Sequence, residues 1–363
     1  MTSTPKLKPG VVFGETYKQL VKACKDGGYA LPAVNIVGTN SVNAVLEAAA
    51  KNKSDVIIQL SNGGAEFYAG HIGDSFQAKV LGAVAAALHV HLLAEHYGVC
   101  VVLHTDHANK KLVPWVEALI EEGRKHKAKY GVPLFTSHMI DLSEEDLDYN
   151  ISESARILTM LNELDMSIEI ELGCTGGEED GVGSDEIDDA RLYTQPSEVL
   201  EAYEALTPLG HFSVAASFGN VHGVYKPGNV DLRPDILKNS QLAIQEKHGL
   251  AANPIDLVFH GGSGSEEAKI KEAISYGVFK MNIDTDTQFA FAEAIGDYVE
   301  ASPMAFRYQI DPESGEPYKK LYDPRKWLRA GEINLVKRLD EAFAVLGSTG
   351  KSLAIAHKES VAA

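Results

Sequence analysis

The sequence predicts an α/β fold: a single (β/α)8 TIM barrel with an N-terminal extension and a C-terminal helical extension. Three observations predict it. Short β-branched runs alternate with longer amphipathic stretches eight times between about residues 30 and 300. No linker composition interrupts that alternation, so one domain over residues 1–363 is expected, with the helical extension from about 301. Each apolar run also ends in a polar or ionisable residue, and barrel strands carry their functional groups at those ends. An open doubly wound sheet has the same alternation, since periodicity does not show closure.

The strand candidates in order are Ala30 to Ile36, Asp55 to Ser61, Val99 to His107, Leu134 to Asp141, Ser167 to Leu172, His211 to Gly219, Ile255 to His260 and Val278 to Asp284. Between them lie helical patterns such as Asn40 to Lys53, where Val42, Val45, Leu46 and Ala49 share one face. Others are Ser75 to His96, Leu112 to Lys129 with Pro114 in its first turn, Ile151 to Leu164, Pro196 to Leu206, Pro234 to Lys247, Ser265 to Tyr276 and Gln288 to Glu300. Asn62-Gly63-Gly64 reads as a Gly-rich loop, and Gly173 to Arg191 as a loop long enough to form a lid. After Ala301 come a polar excursion around Pro312 to Pro317 and a final amphipathic helix with Leu335, Leu339, Phe343 and Leu346, which caps the barrel or meets a partner subunit.

Composition narrows the class. With 45% hydrophobic and 23% charged residues over 363 positions, the chain has material for a sizeable core. A formal charge of −18 argues against a nucleic-acid surface or an anionic membrane, both of which attract basic patches. No apolar stretch approaches the roughly 18 residues of a spanning helix, and Met1 to Pro9 lacks an apolar core, so a cytoplasmic location is expected. Three scattered cysteines do not make a disulfide framework, and Cys100 reads as a small core hydrophobe.

The strand ends carry the chemistry. They are Asn35, Ser61, Asp106 with His107, Asp141, Glu171, Asn220 with His222, His260, and Asn282 with Asp284. A single polar strand end is ordinarily a residue facing water. Eight together point to a site. Three neutral imidazoles, His107, His222 and His260, converging from three strands are the ligand set of an open zinc site. Asp141 and Glu171 either hold a second metal position or orient the ligands. His89, His91 and His96 fall in a helical stretch and read as packing or surface, His138 as a buried satisfied group, and His104 as a residue supporting Asp106 from the same strand face. Neither HExxH nor CxxC is present, and neither is GxGxxG nor a P-loop, so common metalloprotease, structural-zinc and nucleotide readings lack support.

Gly261-Gly262-Ser263-Gly264 and the Asn282-Ile283-Asp284-Thr285 turn stand where barrels cradle a phosphate on backbone N–H groups. Asn220-Val221-His222-Gly223 adds a further point of close backbone approach. Gly176 to Gly181 places three carboxylates between glycines: either a closing loop that delivers a base or a solvated acidic turn. Adjacent strand residues face opposite ways, so Asp106 and His107 serve one site only if regular pairing stops at about Thr105.

The segments LPAVN (31–35), SNGGA (61–65), LHTDHANKKLVPW (103–115), SHMIDLSEE (137–145), GGEEDGV (176–182), GNVHGVYKPGNV (219–230), FHGGSGS (259–265), KMNIDTDTQ (280–288) and DPRKWLR (323–329) resemble class II, metal-dependent fructose-1,6-bisphosphate aldolase of the longer type. The resemblance covers nearly the whole chain; its main departure is Ala108-Asn109, where relatives often carry Cys-Ala.

It implies catalytic Zn2+ on His107, His222 and His260, with Asp141 and Glu171 at an alternative or second divalent site. Asp106 matches the residue that protonates the aldehyde oxygen during condensation, and Glu179, with Glu178 as runner-up, the residue that moves the proton beside the carbonyl. Gly223, Gly261, Gly262, Ser263, Asp284 and Thr285 match one phosphate pocket, and Asn282 a donor to the enediolate. Asn35, Ser61 and Arg325 match contacts toward the other end of the sugar bisphosphate. In the family the arginine comes from the neighbouring subunit, which implies a homodimer; a monovalent cation, K+ or Na+, near Val221, Gly223, Gly261 and Ser263 is also implied.

The implied reaction is reversible cleavage of fructose 1,6-bisphosphate to dihydroxyacetone phosphate and glyceraldehyde 3-phosphate in glycolysis and gluconeogenesis. The metal acts as Lewis acid where other aldolases use a lysine iminium. Lys280 is therefore given an electrostatic or packing role. The nearest rival is a zinc aldolase for tagatose 1,6-bisphosphate. A zinc hydrolase or a non-catalytic binding protein fits the retained residues less well.

Overall fold

The computed structural model describes residues 6–173, 177–179, 182–184, 193–221 and 232–355, with the backbone alone at 177–179 and 182–184. Eight strands, β1 Leu31–Asn35, β2 Val56–Leu60, β3 Cys100–Thr105, β4 Ser137–Ile140, β5 Ser167–Leu172, β6 Phe212–Ala216, β7 Asp256–Phe259 and β8 Val278–Ile283, run parallel. Neighbours pair in order, β8 returns to β1, and the ring is closed; the open-sheet alternative is excluded. Helices run between strands along the outside, as parallel crossovers require.

Period-two alternation decides what fills the interior. Ile58 and Leu60 of β2, Val101 and Leu103 of β3, and Ile168, Ile170 and Leu172 of β5 face the helices in the main core. Leu31, Ala33, Ile57, Val102, Ala215, Val258 and Phe279 form a second cluster inside the ring. The helix Gly14–Gly27 plugs the floor of the ring with Tyr17, Leu20, Val21 and Cys24. Two positions further along the inner face come Asn35, Gln59, His104 and His260, so the interior turns from apolar to polar toward the mouth. β8 departs from this count: Leu257 pairs with Val278 but Val258 with Lys280, and the extra residue is a bulge. Phe279 joins the interior cluster and Lys280 reaches an interior carboxylate, so both point inward.

The expected elements stand within a few residues, and β3 ends at Thr105 as the Asp106–His107 argument requires. Three expectations are corrected. Asn62-Gly63-Gly64 opens the helix Asn62–Ala69, because Ser61 caps it by accepting from Gly64 N–H at 3.1 Å. The Gly173 to Arg191 segment contains an antiparallel hairpin, Gly177–Glu179 with Val182–Ser184, and its remaining expected features lie outside the described residues. The helix Ser75–Tyr97 is, against the expectation that no stretch approaches that length, long and apolar enough to cross a membrane by length and composition. Here its Ala78, Ala83, Ala86, Ala87, Val90 and Ala94 side chains pack into the barrel wall.

The C-terminal helix Pro324–Val345 lies against the helices Thr39–Asn52 and Thr285–Ala301, burying Leu335, Leu339 and Phe343. Arg329 holds Glu47 at 2.7 and 2.9 Å, and Asp340 takes Asn52 at 2.6 Å. Ala30 N–H donates to Leu346 O at 3.1 Å, which places this helix's C-terminus at the foot of β1 and its N-terminus toward the mouth. The extension covers the barrel's side rather than capping an end.

Candidate active site

The site is built where the strands stop. Past Thr105 the chain still gives Asp106 N–H to Leu60 O at 2.8 Å, but the ladder has ended and Asp106 and His107 turn into one cavity. Asp106 is fully buried. Its Oδ2 accepts from Asn35 Nδ2 and Gln59 Nε2, each at 3.0 Å, and its Oδ1 from Asn282 Nδ2 at 3.3 Å. Gln59 also donates to Asn35 Oδ1 at 2.6 Å, so strands β1, β2 and β8 jointly aim one carboxylate.

His107 Nδ1 lies 3.1 Å from Asp141 Oδ2, and Asp141 Oδ1 accepts from Ser143 N–H and Oγ–H at 3.1 and 2.6 Å. Glu171 Oε2 lies between two imidazoles, 3.6 Å from His107 Nδ1 and 3.5 Å from His260 Nδ1. The rings of His107 and His260 meet edge to face, centroids 4.6 Å apart. Two sets of donors gather here with ligand atoms within 4.8 Å of one another: Asp106, His107 and His260, and His107, Asp141 and Glu171. Buried imidazoles and carboxylates in such groups match the donors that divalent metals take.

The electrostatics follow from burial and charge together. Desolvation pushes the Asp106 carboxyl upward, but His107, Lys280, His260 and the Asn35 hydrogen bond outweigh it and leave its pKa below the usual value. Asp141 is held well below the usual carboxylate range as well: burial opposes ionisation, while His107 and the Ser143 donors favour it. Both are carboxylates at neutral pH. Beneath them, burial first and Lys280 second keep His104 neutral.

Around the rim, Gly261 takes φ +59, a left-handed conformation suited to glycine. A Cβ on Gly262 would stand 2.6 Å from Met281 side-chain atoms. Gly262 N–H reaches Asn282 O at 3.3 Å, joining this turn to the N-terminus of the helix Thr285–Ala301, where Asp284 precedes the first turn. Ser263 is buried beside them. Asn220 Nδ2 donates to His260 O at 3.0 Å, fastening the ends of β6 and β7.

The structure thus gathers Asn35, Asp106, His107, Asp141, Glu171, His260 and Asn282, and sets Ser61, Gly261, Gly262, Ser263, Asp284 and Thr285 at the adjoining strand ends. His222 and Gly223 lie outside the described residues, as does the side chain of Glu179, whose backbone pairs with Val182 in the hairpin. Arg325 is exposed and its guanidinium grips Asp323 at 2.7 Å on the same helix start, apart from these groups within one chain. His89 and His91 bond Asn43 and Leu134 at 3.0 and 2.9 Å in helix packing, and His138 bonds Thr105 at 2.7 Å.

Two residues escaped the sequence reading: Gln59 and Glu169. Gln59 is the one polar residue of an otherwise apolar strand, and Glu169 stands between Ser167 and Glu171 on the inner face of β5, mid-strand positions that reading only strand ends passes over. Glu169 Oε1 is 2.8 Å from His260 Nε2, and its carboxylate takes Lys280 Nζ at 2.9 and 2.7 Å.

The chain matches the family described as fructose-bisphosphate aldolase class-II over residues 15–351. It is 53% identical to the fructose-bisphosphate aldolase class 2 of Escherichia coli K12, across 94% of this chain and 97% of that one. The fructose-bisphosphate aldolase of Campylobacter jejuni is 54% identical over 95% of this chain and 98% of its own length. A crystal structure of fructose-bisphosphate aldolase from the same species superposes with a TM-score of 0.87, covering 95% of this chain and 98% of that one at 53% identity. The crystal structure of the YdjI aldolase of Escherichia coli K12, 22% identical with a TM-score of 0.63 over 93% of this chain and 98% of its own, shares the fold. With its closed barrel, its buried histidine and carboxylate cluster and these likenesses, this chain belongs to the class II fructose-bisphosphate aldolase family.

Proposed function

We propose that the barrel mouth cleaves fructose 1,6-bisphosphate reversibly into dihydroxyacetone phosphate and glyceraldehyde 3-phosphate, with a divalent metal, zinc, held by His107, His222 and His260. The buried cluster of Asp106, His107 and His260, with ligand atoms within 4.8 Å, carries this reading. The donors fit such an ion: each described histidine has one ring nitrogen beside a carboxylate, Asp141 for His107 and Glu169 for His260, the arrangement that orients imidazole ligands. When bound, the metal supplies a Lewis acid that polarises the ketose carbonyl. A second divalent position on His107, Asp141 and Glu171, and K+ or Na+ near Val221, Gly223, Gly261 and Ser263, belong to the same proposal.

The chain's own groups move the protons. In cleavage the Asp106 carboxylate takes the hydroxyl proton from the carbon that becomes the aldehyde; the carbon–carbon bond breaks, and Glu179 delivers a proton to the carbon beside the ketone. Condensation runs both transfers backward. The depressed pKa of Asp106 gives it the carboxylate state that cleavage needs. Asn282 donates toward the reacting oxygens. Gly223, the Gly261 to Ser263 turn, Asp284 and Thr285 receive one phosphate, while Asn35, Ser61 and a partner's arginine equivalent to Arg325 face the other end.

The whole chain acts as one domain in a cytoplasmic homodimer. Leu81, Leu88 and Leu92, on one face of the helix Ser75–Tyr97, are 47%, 44% and 70% exposed, an apolar surface that a second subunit would cover.

The deciding assay measures cleavage of fructose and tagatose 1,6-bisphosphate before and after chelation, with borohydride plus substrate as control. Loss on chelation, recovery with zinc and indifference to borohydride are expected, with fructose 1,6-bisphosphate preferred. Activity that survives chelation or is trapped by borohydride overturns the metal mechanism.

A further inference from the structure

Below the metal cluster lies a charged layer that the proton transfers do not use. Glu169 and Lys280 have side chains only 2% exposed, yet they form an ion pair of 2.7 Å in the middle of the barrel. Burying two charges costs desolvation, and an apolar pair of similar volume usually serves stability as well or better. Stability is therefore a poor reason for this pair. The backbone also departs from regular geometry here: the bulge between Val278 and Lys280 brings Phe279 to the interior beside the lysine, whose own inward direction it shares with Asn282.

His260 stands between two carboxylates. Its Nε2 is 2.8 Å from Glu169 Oε1, and its Nδ1 is 3.5 Å from Glu171 Oε2 on the metal-cluster side. In a neutral imidazole the nitrogen that donates a proton leaves the other as the lone-pair ligand. Lys280 donates to both oxygens of Glu169, and His104 Nε2 lies 3.6 Å from Oε2 while its Nδ1 is tied to Ser137 Oγ at 2.8 Å. The carboxylate is thus clamped with Oε1 against His260.

We propose that Glu169, held by Lys280, is a positioning residue that accepts the Nε2–H of His260 and so selects the tautomer presenting Nδ1 to the metal. His107 is oriented oppositely, with Nδ1 beside Asp141. The inference rests on the metal-site reading above for its consequence, but the tautomer itself is a property of the metal-free protein.

Two measurements test it. In 15N-labelled metal-free protein, with His260 assigned through His260→Gln, the ring should carry its proton on Nε2; an Nδ1–H tautomer overturns the proposal. In parallel, zinc affinity by chelator competition and the cobalt(II) absorption spectrum are compared for the parent, Glu169→Gln/Lys280→Met, which keeps a carbonyl acceptor, and Glu169→Leu/Lys280→Met, which keeps only volume. The apolar double variant should bind zinc about 10–100-fold more weakly with a shifted cobalt band, the Gln variant falling between it and the parent. An apolar variant that folds and binds zinc within about twofold of the parent, with the parent's spectrum, assigns the pair a merely structural role. If that variant fails to fold, the tautomer and the Gln variant decide. A parent that binds no divalent metal sinks the metal reading instead, which the tautomer measurement does not touch.

Discussion

His107 and Asp141 lie 3.1 Å apart, Nδ1 to Oδ2, across the gap between the ends of β3 and β4. The carboxylate is itself fixed by two donors from Ser143, so it orients the imidazole rather than following it. Asp141→Ala should therefore weaken zinc binding about 10–100-fold while the barrel stays folded. Chelator competition alongside circular dichroism checks this, and parent-like affinity would remove Asp141 from the site.

Asp106→Asn keeps the shape of the carboxylate but cannot take the hydroxyl proton. Three amide donors, from Asn35, Gln59 and Asn282, would also face a mixed donor and acceptor in place of an anion. Cleavage kcat should fall by about 10²–10⁴-fold. Pre-steady-state kinetics with saturating substrate measures it, and a loss under threefold would require another proton carrier.

Gly82 lets the helix Ser75–Tyr97 touch the helix Asn62–Ala69, since a Cβ there would come within 1.7 Å of Ala65 O. Backbone cannot yield as a side chain does. Gly82→Ala should cost about 1–3 kcal/mol or more and, by shifting the helix that Ser61 caps, raise KM. Unchanged urea midpoint and KM would show that the two helices slide freely.

Asp256, at the foot of β7, accepts from His211 Nε2 at 2.9 Å and pairs with Lys25 of the floor helix. Burial alone would raise its pKa; His211 and Lys25 reverse that, and the net shift is downward. A depressed folded pKa gives stability that is complete above the unfolded value, about 4, and lost as pH falls through the lower folded value. Asp256→Asn should thus lower stability by about 2–3 kcal/mol at pH 7, with the deficit closing in strong acid. Urea titrations at pH 7 and pH 3 decide; an equal deficit at both would mean that charge is not the cause.

A second subunit packed on the apolar face carrying Leu88 and Leu92 would be lost with Leu88→Asp and Leu92→Asp, which should give monomers by sedimentation. KM should then rise along with that of Arg325→Ala, because each mouth loses its partner's arginine. Monomers with parental KM would leave Arg325 no part in substrate binding.

Much of this protein was legible in one dimension. Eight alternations of β-branched and amphipathic stretches determine eight strands and their helices, because periods of 2 and 3.6 are properties of local backbone geometry. The polar ends of those strands supplied most of the residues that the structure gathers at the candidate site, since an apolar run that stops at Asp106, Glu171 or His260 has run out of interior to fill. The Gly-rich stretch after Ser61 misled, because glycine composition suggested a loop where a capped helix forms.

Tertiary structure decided the rest. Ring closure depends on β8 meeting β1, a pairing between residues almost 250 positions apart that no local pattern encodes. Gln59 joined the site when its two neighbouring strands paired with it, and Glu169 only when the ring closed, since His260 and Lys280 lie across the interior. Phe279 joins the interior beside Lys280 because a bulge adds one residue to β8, and an alternation counted back from Asn282 would turn it toward the helices. The sequence determines which groups are available; hydrogen bonds between distant strands determine which nitrogen and which oxygen face one another.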